Sequence, residues 1–399
     1  IILCVSFTGC MENYLDLYPE DKITSASFPE NESDIKLLLN GVYAQLREKE
    51  VYNQGLFGFG ITDGATPNAF NWGTDEVFNK LGAGRLSSSD GGVVTYRWKR
   101  CYEIISRANY LLACMDLVDL SEEAKAKYSG ETHFLRGLAY SVLAETYGGV
   151  PIILTDISTE EARSLKRASL EETWQQALDD YEVAITNLGV DAPEPGRATK
   201  GAALGMKMRA YLYQGKYKEV LSCVEQIDAL KKYGLFHSYE GLFDPANENN
   251  KEVLFDIQYI EGENSQGSYI DQYCGTGTGS WTRGSRYVPT DDLVAAYETI
   301  DGSPVDPENP YENRDPRLGF TAVLPGSYFL GYRFPNYLYP GGAFNHAGNR
   351  LKHLSTRKYR IQDESKLPPS GQSYINDIIL RYADCLLYTS PSPRDRSVS

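Results

Sequence analysis

A chain of 399 residues, 42% hydrophobic and 23% charged, is long enough to bury a large core and too apolar to stay unfolded. Its formal charge of −15 excludes nucleic acid as the main partner, because phosphate binding takes clustered Lys and Arg. No internal apolar run reaches the roughly 18 residues a transmembrane helix needs.

The chain opens on an apolar run, Ile1 to Gly9, that ends in small residues before Cys10 and turns polar at Met11-Glu12-Asn13. That pattern resembles the tail of a bacterial lipoprotein signal, with Phe7 where Leu is usual. Residues 1–9 are therefore expected to be a signal remnant, and Cys10 the lipid-anchored first residue of the mature protein. Acyl chains on that thiol would gain about 0.8 kcal/mol per buried CH2. With no Met at its start, the sequence is expected to be a fragment there.

Five stretches carry a helical period. Ile35, Leu38/Leu39, Val42 and Leu46 make the first, and Trp98, Tyr102, Ile105, Ala108 and Leu112 the second. Phe134/Leu135, Leu138, Val142 and Tyr147 make the third, stopped by Gly148-Gly149 and Pro151. Trp174, Leu178, Tyr181 and Leu188 follow, with Ser169 and Glu172 spaced as a capping box. Last come Ala203, Met206, Ala210 and Tyr213, a break at Gly215, then Tyr217, Val220/Leu221, Val224 and Ile227. This pair reads as a helix-turn-helix of tetratricopeptide type without a strict 34-residue repeat. One short strand is expected over 253–259, and an amphipathic helix from Ile378 to Leu387. Residues 388–399, with Pro391 and Pro393, cannot continue that helix and are expected to be a non-native tail.

Between these elements lie long irregular segments at 52–92, 261–290 and 300–375, rich in Gly, Asn, Tyr and Pro. Loops of such length are functional or disordered, and the aromatics embedded in these argue for function. Tyr makes up 30 of the 48 aromatic residues; its ring stacks while its hydroxyl stays hydrated, which suits a wet recognition surface. Catalytic signatures are missing: no Walker A loop, no HExxH, no GxSxG. The histidines His133, His237, His346 and His353 lack ligand spacing, so no metal or cofactor is expected. The seven cysteines form no CxxC pair, and Cys101, Cys114 and Cys223 sit at apolar helical positions as small core residues. Nothing marks any two carboxylates as a glycosidase pair, although their number leaves one open.

Several motifs together resemble the SusD/RagB family. They are Gly130-Glu131-Thr132-His133-Phe134-Leu135-Arg136-Gly137-Leu138-Ala139-Tyr140 running to Tyr147-Gly148-Gly149-Val150-Pro151, Trp98 with Tyr102 and Arg107-Ala108-Asn109, Gly196-Arg197-Ala198-Thr199-Lys200-Gly201, Arg314-Asp315-Pro316-Arg317, and Ile379-Leu380-Arg381-Tyr382-Ala383-Asp384. The resemblance spans residues 10–387 in the family's order. It implies a mainly α fold: a tetratricopeptide-like helical scaffold with long ligand-binding loops and a few short strands. It further implies a non-enzymatic, lipid-anchored protein on the outer-membrane surface of Bacteroidota. Such proteins bind glycan and hand it to a SusC-like TonB-dependent transporter. Arg136 and Arg381 match family positions that look structural, paired with carboxylates.

The residues themselves point the same way, since an anchor, a helical scaffold and aromatic polar loops describe a tethered binder. Sugars stack their C–H faces on rings and hydrogen-bond to Asn, Asp and Arg. Trp72 and Trp281 are the expected stacking residues. Asp63, Asn68 and Asn71 are expected to bind hydroxyls, and Tyr273, Arg283 and Tyr287 to flank them. Trp98 and Trp174 stand at helix core positions. A peptide-binding member of the family, a glycoside hydrolase and a bare protein-binding scaffold remain as alternatives.

Overall fold

The computed structural model describes residues 28–48, 63–71, 80–87, 89–261, 267–270, 287–334, 338, 354–369 and 371–389. Helix α1 (Glu32–Leu46) starts where the Asn31 side chain accepts from the Ser33 and Asp34 amides. Helix α2 (Val93–Cys114) is followed by α3 (Glu122–Tyr147), capped by Ser121 and ended at Gly148. Gly148 has φ +75°, a left-handed angle that only glycine adopts at no cost. A short α4 (Thr159–Ser164) precedes α5 (Leu170–Asn187), which opens with the expected Ser169–Glu172 capping box. Then α6 (Lys200–Tyr213) turns at Gly215 into α7 (Tyr217–Ala229). Among the described residues three further helices follow: α8 (Asp291–Ala296), α9 (Pro316–Thr321) and α10 (Tyr382–Thr389).

Each long helix packs on its neighbours in sequence. α3 lies against α2 and α5, α6 against α5 and α7, and α1 against α2 and α3. This successive stacking is the tetratricopeptide-like scaffold that the periodicity predicts. Its seam is filled by Ile104, Phe134, Leu135, Leu138, Tyr140, Trp174 and Tyr181, all buried, with Cys101, Cys114 and Cys223 among them. Each large apolar side chain so buried stabilises by about 1.5–3 kcal/mol before entropy is counted. Trp98 is half-buried with its ring edge-on to Tyr147 at 5.2 Å. Arg136 is the polar centre of the stack. Its Nη2 lies 2.7 Å from Asp180 Oδ1 on α5, and its Nη1 donates to Asn109 Oδ1 on α2 at 2.8 Å.

Eight short strands lie among the described residues: β1 (Ala69–Asn71), β2 (Val253–Ile257), β3 (Tyr287–Pro289), β4 (Ala322–Val323), β5 (Tyr328–Phe329), β6 (Tyr332–Arg333), β7 (Ser355–Thr356) and β8 (Asp377–Arg381). They pair antiparallel in twos, β1 with β3, β2 with β8, β4 with β7 and β5 with β6. The helix expected to begin at Ile378 is therefore corrected. Residues 377–381 are strand, and α10 starts at Tyr382. In so short an apolar window both periods fit, and the distant partner β2 decides. The pair can lie on α6 because Gly205 has no side chain: a Cβ there would stand 2.2 Å from Leu380 Cδ2. Arg381 Nη1 meets Glu252 Oε1 at 2.8 Å, the expected structural pairing. The loop-rich half has its own small core of Leu242, Phe243, Ile270, Tyr359, Ile361 and Ile375.

Candidate functional site

Two of the irregular segments meet at one place. Asp63 opens a tight turn in which its carbonyl accepts from the Thr66 amide at 2.9 Å and from Thr66 Oγ1 at 2.8 Å. That hydroxyl in turn accepts from the Asn68 amide, and β1 begins at once. The register Ala69↔Pro289, Phe70↔Val288 and Asn71↔Tyr287 joins this turn to β3, more than two hundred residues away in sequence. Thr290 fastens the junction: its amide donates to Asn68 O at 3.0 Å, its hydroxyl to Pro67 O. The same hydroxyl accepts from the Leu293 amide and so caps α8.

The far wall of the site is set by Arg314, which is buried and donates to Tyr297 O at 2.6 Å and Pro310 O at 2.6 Å. Tyr297 at the end of α8 is thereby fixed, and its hydroxyl lies 3.0 Å from Thr321 Oγ1. The Thr321 carbonyl accepts from the Arg357 amide at 2.8 Å, which seats the segment after β7 beside it. The Tyr239 ring closes the floor, 6.4 Å from Phe320 and 5.5 Å from Phe243.

Between these walls is a cavity of about 230 Å3 lined by Asp63, Asn68, Tyr239, Tyr297, Thr321 and Lys358, with apolar edges from Pro289 and Leu293. Burial raises the Asp63 carboxyl above its ordinary range; the Lys358 charge and a hydrogen bond from Asn68 oppose that. Burial and the Arg381 charge push the Lys358 ammonium down to about 8, against Asp63, Asp384 and Asp377. The arrangement offers tyrosine faces together with acceptors, donors and hydroxyls at close range. Those are the parts that hold a polar ligand with an apolar face. Among the described residues no cluster of three or more His, Cys, Asp or Glu is placed to hold a metal ion.

Of the sequence-predicted residues, Asp63 and Asn68 line this cavity, and the backbones of Asn71 and Tyr287 sit opposite each other in the β1–β3 register. Trp72, Tyr273, Trp281, Arg283 and Cys10 lie outside the described residues. Sequence reasoning missed Tyr239, Tyr297, Thr321 and Lys358. Thirty tyrosines hide two, and neither Tyr239 nor Tyr297 falls in the three long segments that composition marks as irregular.

The scaffold and the cleft define a tetratricopeptide-like helical protein that presents a loop-built polar site. Residues 13–212 match the family SusD-like_3, described as "Starch-binding associating with outer membrane", and residues 251–389 match SusD_RagB, the SusD family. The chain belongs to the SusD/RagB family. A SusD-like protein of Formosa agariphila is 27% identical over 312 residues, which is 72% of this chain and 57% of that protein. The chain thus spans little more than half of that relative's length. A SusD-like carbohydrate-binding protein from Bacteroides fragilis superposes with a TM-score of 0.79 at 27% identity, covering 90% of this chain and 73% of its own. A laminarin-binding SusD-like protein shares the fold at a TM-score of 0.71 and 20% identity, covering 90% and 79%. No helix among the described residues is long and apolar enough to cross a membrane.

Proposed function

We propose that this chain is a glycan-binding lipoprotein of the outer-membrane surface. It captures oligo- or polysaccharide in the Asp63–Tyr297 cleft and delivers it to a SusC-like TonB-dependent transporter. Binding, not turnover, is its task, and Cys10 carries the lipid that holds it at the membrane. The observation that carries this reading is the β1–β3 pairing, which joins two aromatic polar loops over a cleft floored by tyrosine. Asp63 and Asn68 would bind sugar hydroxyls and Tyr239 and Tyr297 the apolar sugar face. Trp72, Asn71, Trp281, Tyr273, Arg283 and Tyr287 would extend the stacking face from the same two loops. The family description names starch and the outer membrane, and the carbohydrate-binding relative supports the ligand class.

Affinity electrophoresis against a polysaccharide panel that includes starch and laminarin tests this. Retardation by one glycan is expected, weakened about tenfold by Tyr297→Ala or Asp63→Ala, which corresponds to about 1.4 kcal/mol. Trp72→Ala and Trp281→Ala test the flanking residues. Free migration of the folded protein on every glycan would overturn the reading. Delivery is tested separately, by co-purification of the lipid-bearing protein with its transporter from detergent-extracted outer membranes.

A further inference from the structure

Lys358 lines two cavities. On its other side lies a larger one of about 410 Å3, within the size range of small-molecule sites. Arg357, Lys358, Arg360 and Lys366 line it together with the carboxylates Glu240, Asp244 and Asp363, so its lining is positive by one charge on a chain whose formal charge is −15. Two of these carboxylates pair with basic residues of the same lining, and the third accepts from a backbone amide. Glu240 Oε1 meets Arg357 Nη2 at 2.9 Å, and Asp244 Oδ1 accepts from the Ala246 amide at 2.8 Å. Asp363 Oδ1 accepts from the Ser365 amide and hydroxyl and stands 3.8 Å from Lys366 Nζ through its other oxygen. Phe243 and Tyr359 add ring faces, with the Lys358 ammonium 4.6 Å and 5.6 Å from their centroids.

We infer that this second cavity is a subsite for an acidic sugar, one bearing a carboxylate or a sulfate, whose neighbours in the same chain occupy the Asp63 cleft. The inference rests on the glycan-binding reading and adds to it a class of ligand. Two guanidinium-bearing and two ammonium-bearing side chains lining one space favour an oxyanion, which they can hold by charge-assisted hydrogen bonds. Lys358 sharpens the preference. Burial and the nearby Arg381 disfavour its positive charge more than Asp63, Asp384 and Asp377 favour it, so an arriving anion would offset part of that cost. Because Lys358 borders both cavities, a glycan crossing from one to the other passes this ammonium.

Calorimetry with matched probes tests it: xylo-oligosaccharides with and without glucuronic acid branches, and galactan-type oligosaccharides with and without sulfate. Binding of an acidic probe at least tenfold tighter than its neutral counterpart is expected. That preference should shrink in 0.5 M NaCl and be lost in both Lys358→Gln and the surface variant Lys366→Glu. Asp63→Ala should weaken acidic and neutral probes alike. The two probe pairs tell carboxylate from sulfate. Equal affinity for acidic and neutral probes would overturn the acidic subsite and leave glycan binding standing. So would a preference that survives both lysine variants in folded protein. Binding of no probe, together with no retardation on the wider panel, would overturn both readings.

Discussion

Arg136 holds three helices with one side chain. Its guanidinium spans Asp180 and Asn109, and Asn109 in turn donates to Ile153 O at 2.9 Å, so the loop after α3 hangs on the same network. The pair is buried at both ends, and removing one partner strands the other charge without water. Arg136→Ala is expected to lower unfolding free energy by about 3–5 kcal/mol in urea titrations, and Arg136→Met with Asp180→Leu by much less. Equal losses in the single and double variants would show that packing, not charge, is at stake. Residues of this kind were readable: Arg136 from its motif, Trp174 from its period. The cleft residues Tyr239, Tyr297 and Lys358 were not, because a tyrosine in a loop looks the same in sequence whether it faces a ligand or a core.

At the scale of elements, the β2–β8 ribbon carries the pH response. Asp256 lies in it with its carboxylate between Asn376 and Gln258, and burial raises it to about 6. Burial likewise raises Glu248, which accepts from the Asn376 amide, to about 7. Both stand above their unfolded values of 3.8 and 4.5, so the folded chain holds protons that the unfolded chain releases. These two groups therefore stabilise most below about pH 4, and stability falls as pH rises toward 7. Urea midpoints are expected to be higher at pH 5 than at pH 8. Asp256→Asn should reduce that difference, and an unchanged difference would clear Asp256 of the role. Asp90 and Asp301, held at about 2 by hydrogen bonds from Lys80 and Ser303, act only in the acid range and with opposite sign.

The ribbon also depends on a missing side chain. Gly205→Val would drive methyls into Leu380 and Leu254, and overpacking of this kind costs about 1–3 kcal/mol. The same urea experiment reads it, with Gly205→Ala expected to lose less. In sequence Gly205 is one small residue between Ala203 and Met206, with nothing to mark it. Which strand would press on it depended on β8 being a strand, and that followed from a pairing partner over a hundred residues away.

For the molecule as a whole, the Asp63–Tyr297 cleft exists because β1 finds β3. Val288 is buried in that junction, so Val288→Asp would place an unpaired carboxylate there and release the two loops. Glycan affinity is expected to fall at least tenfold while the helical signal in far-UV circular dichroism stays unchanged. Loss of both together would mean that the loops and the scaffold fold as one unit. Composition, helical period and caps determined the mainly α scaffold, because each of those signals acts between residues a few positions apart and is written locally. The cleft, its tyrosine floor and the second cavity behind Lys358 were decided by tertiary structure alone. They join segments near residues 63, 239, 297, 321 and 358, whose meeting depends on pairings between distant strands that no local pattern encodes.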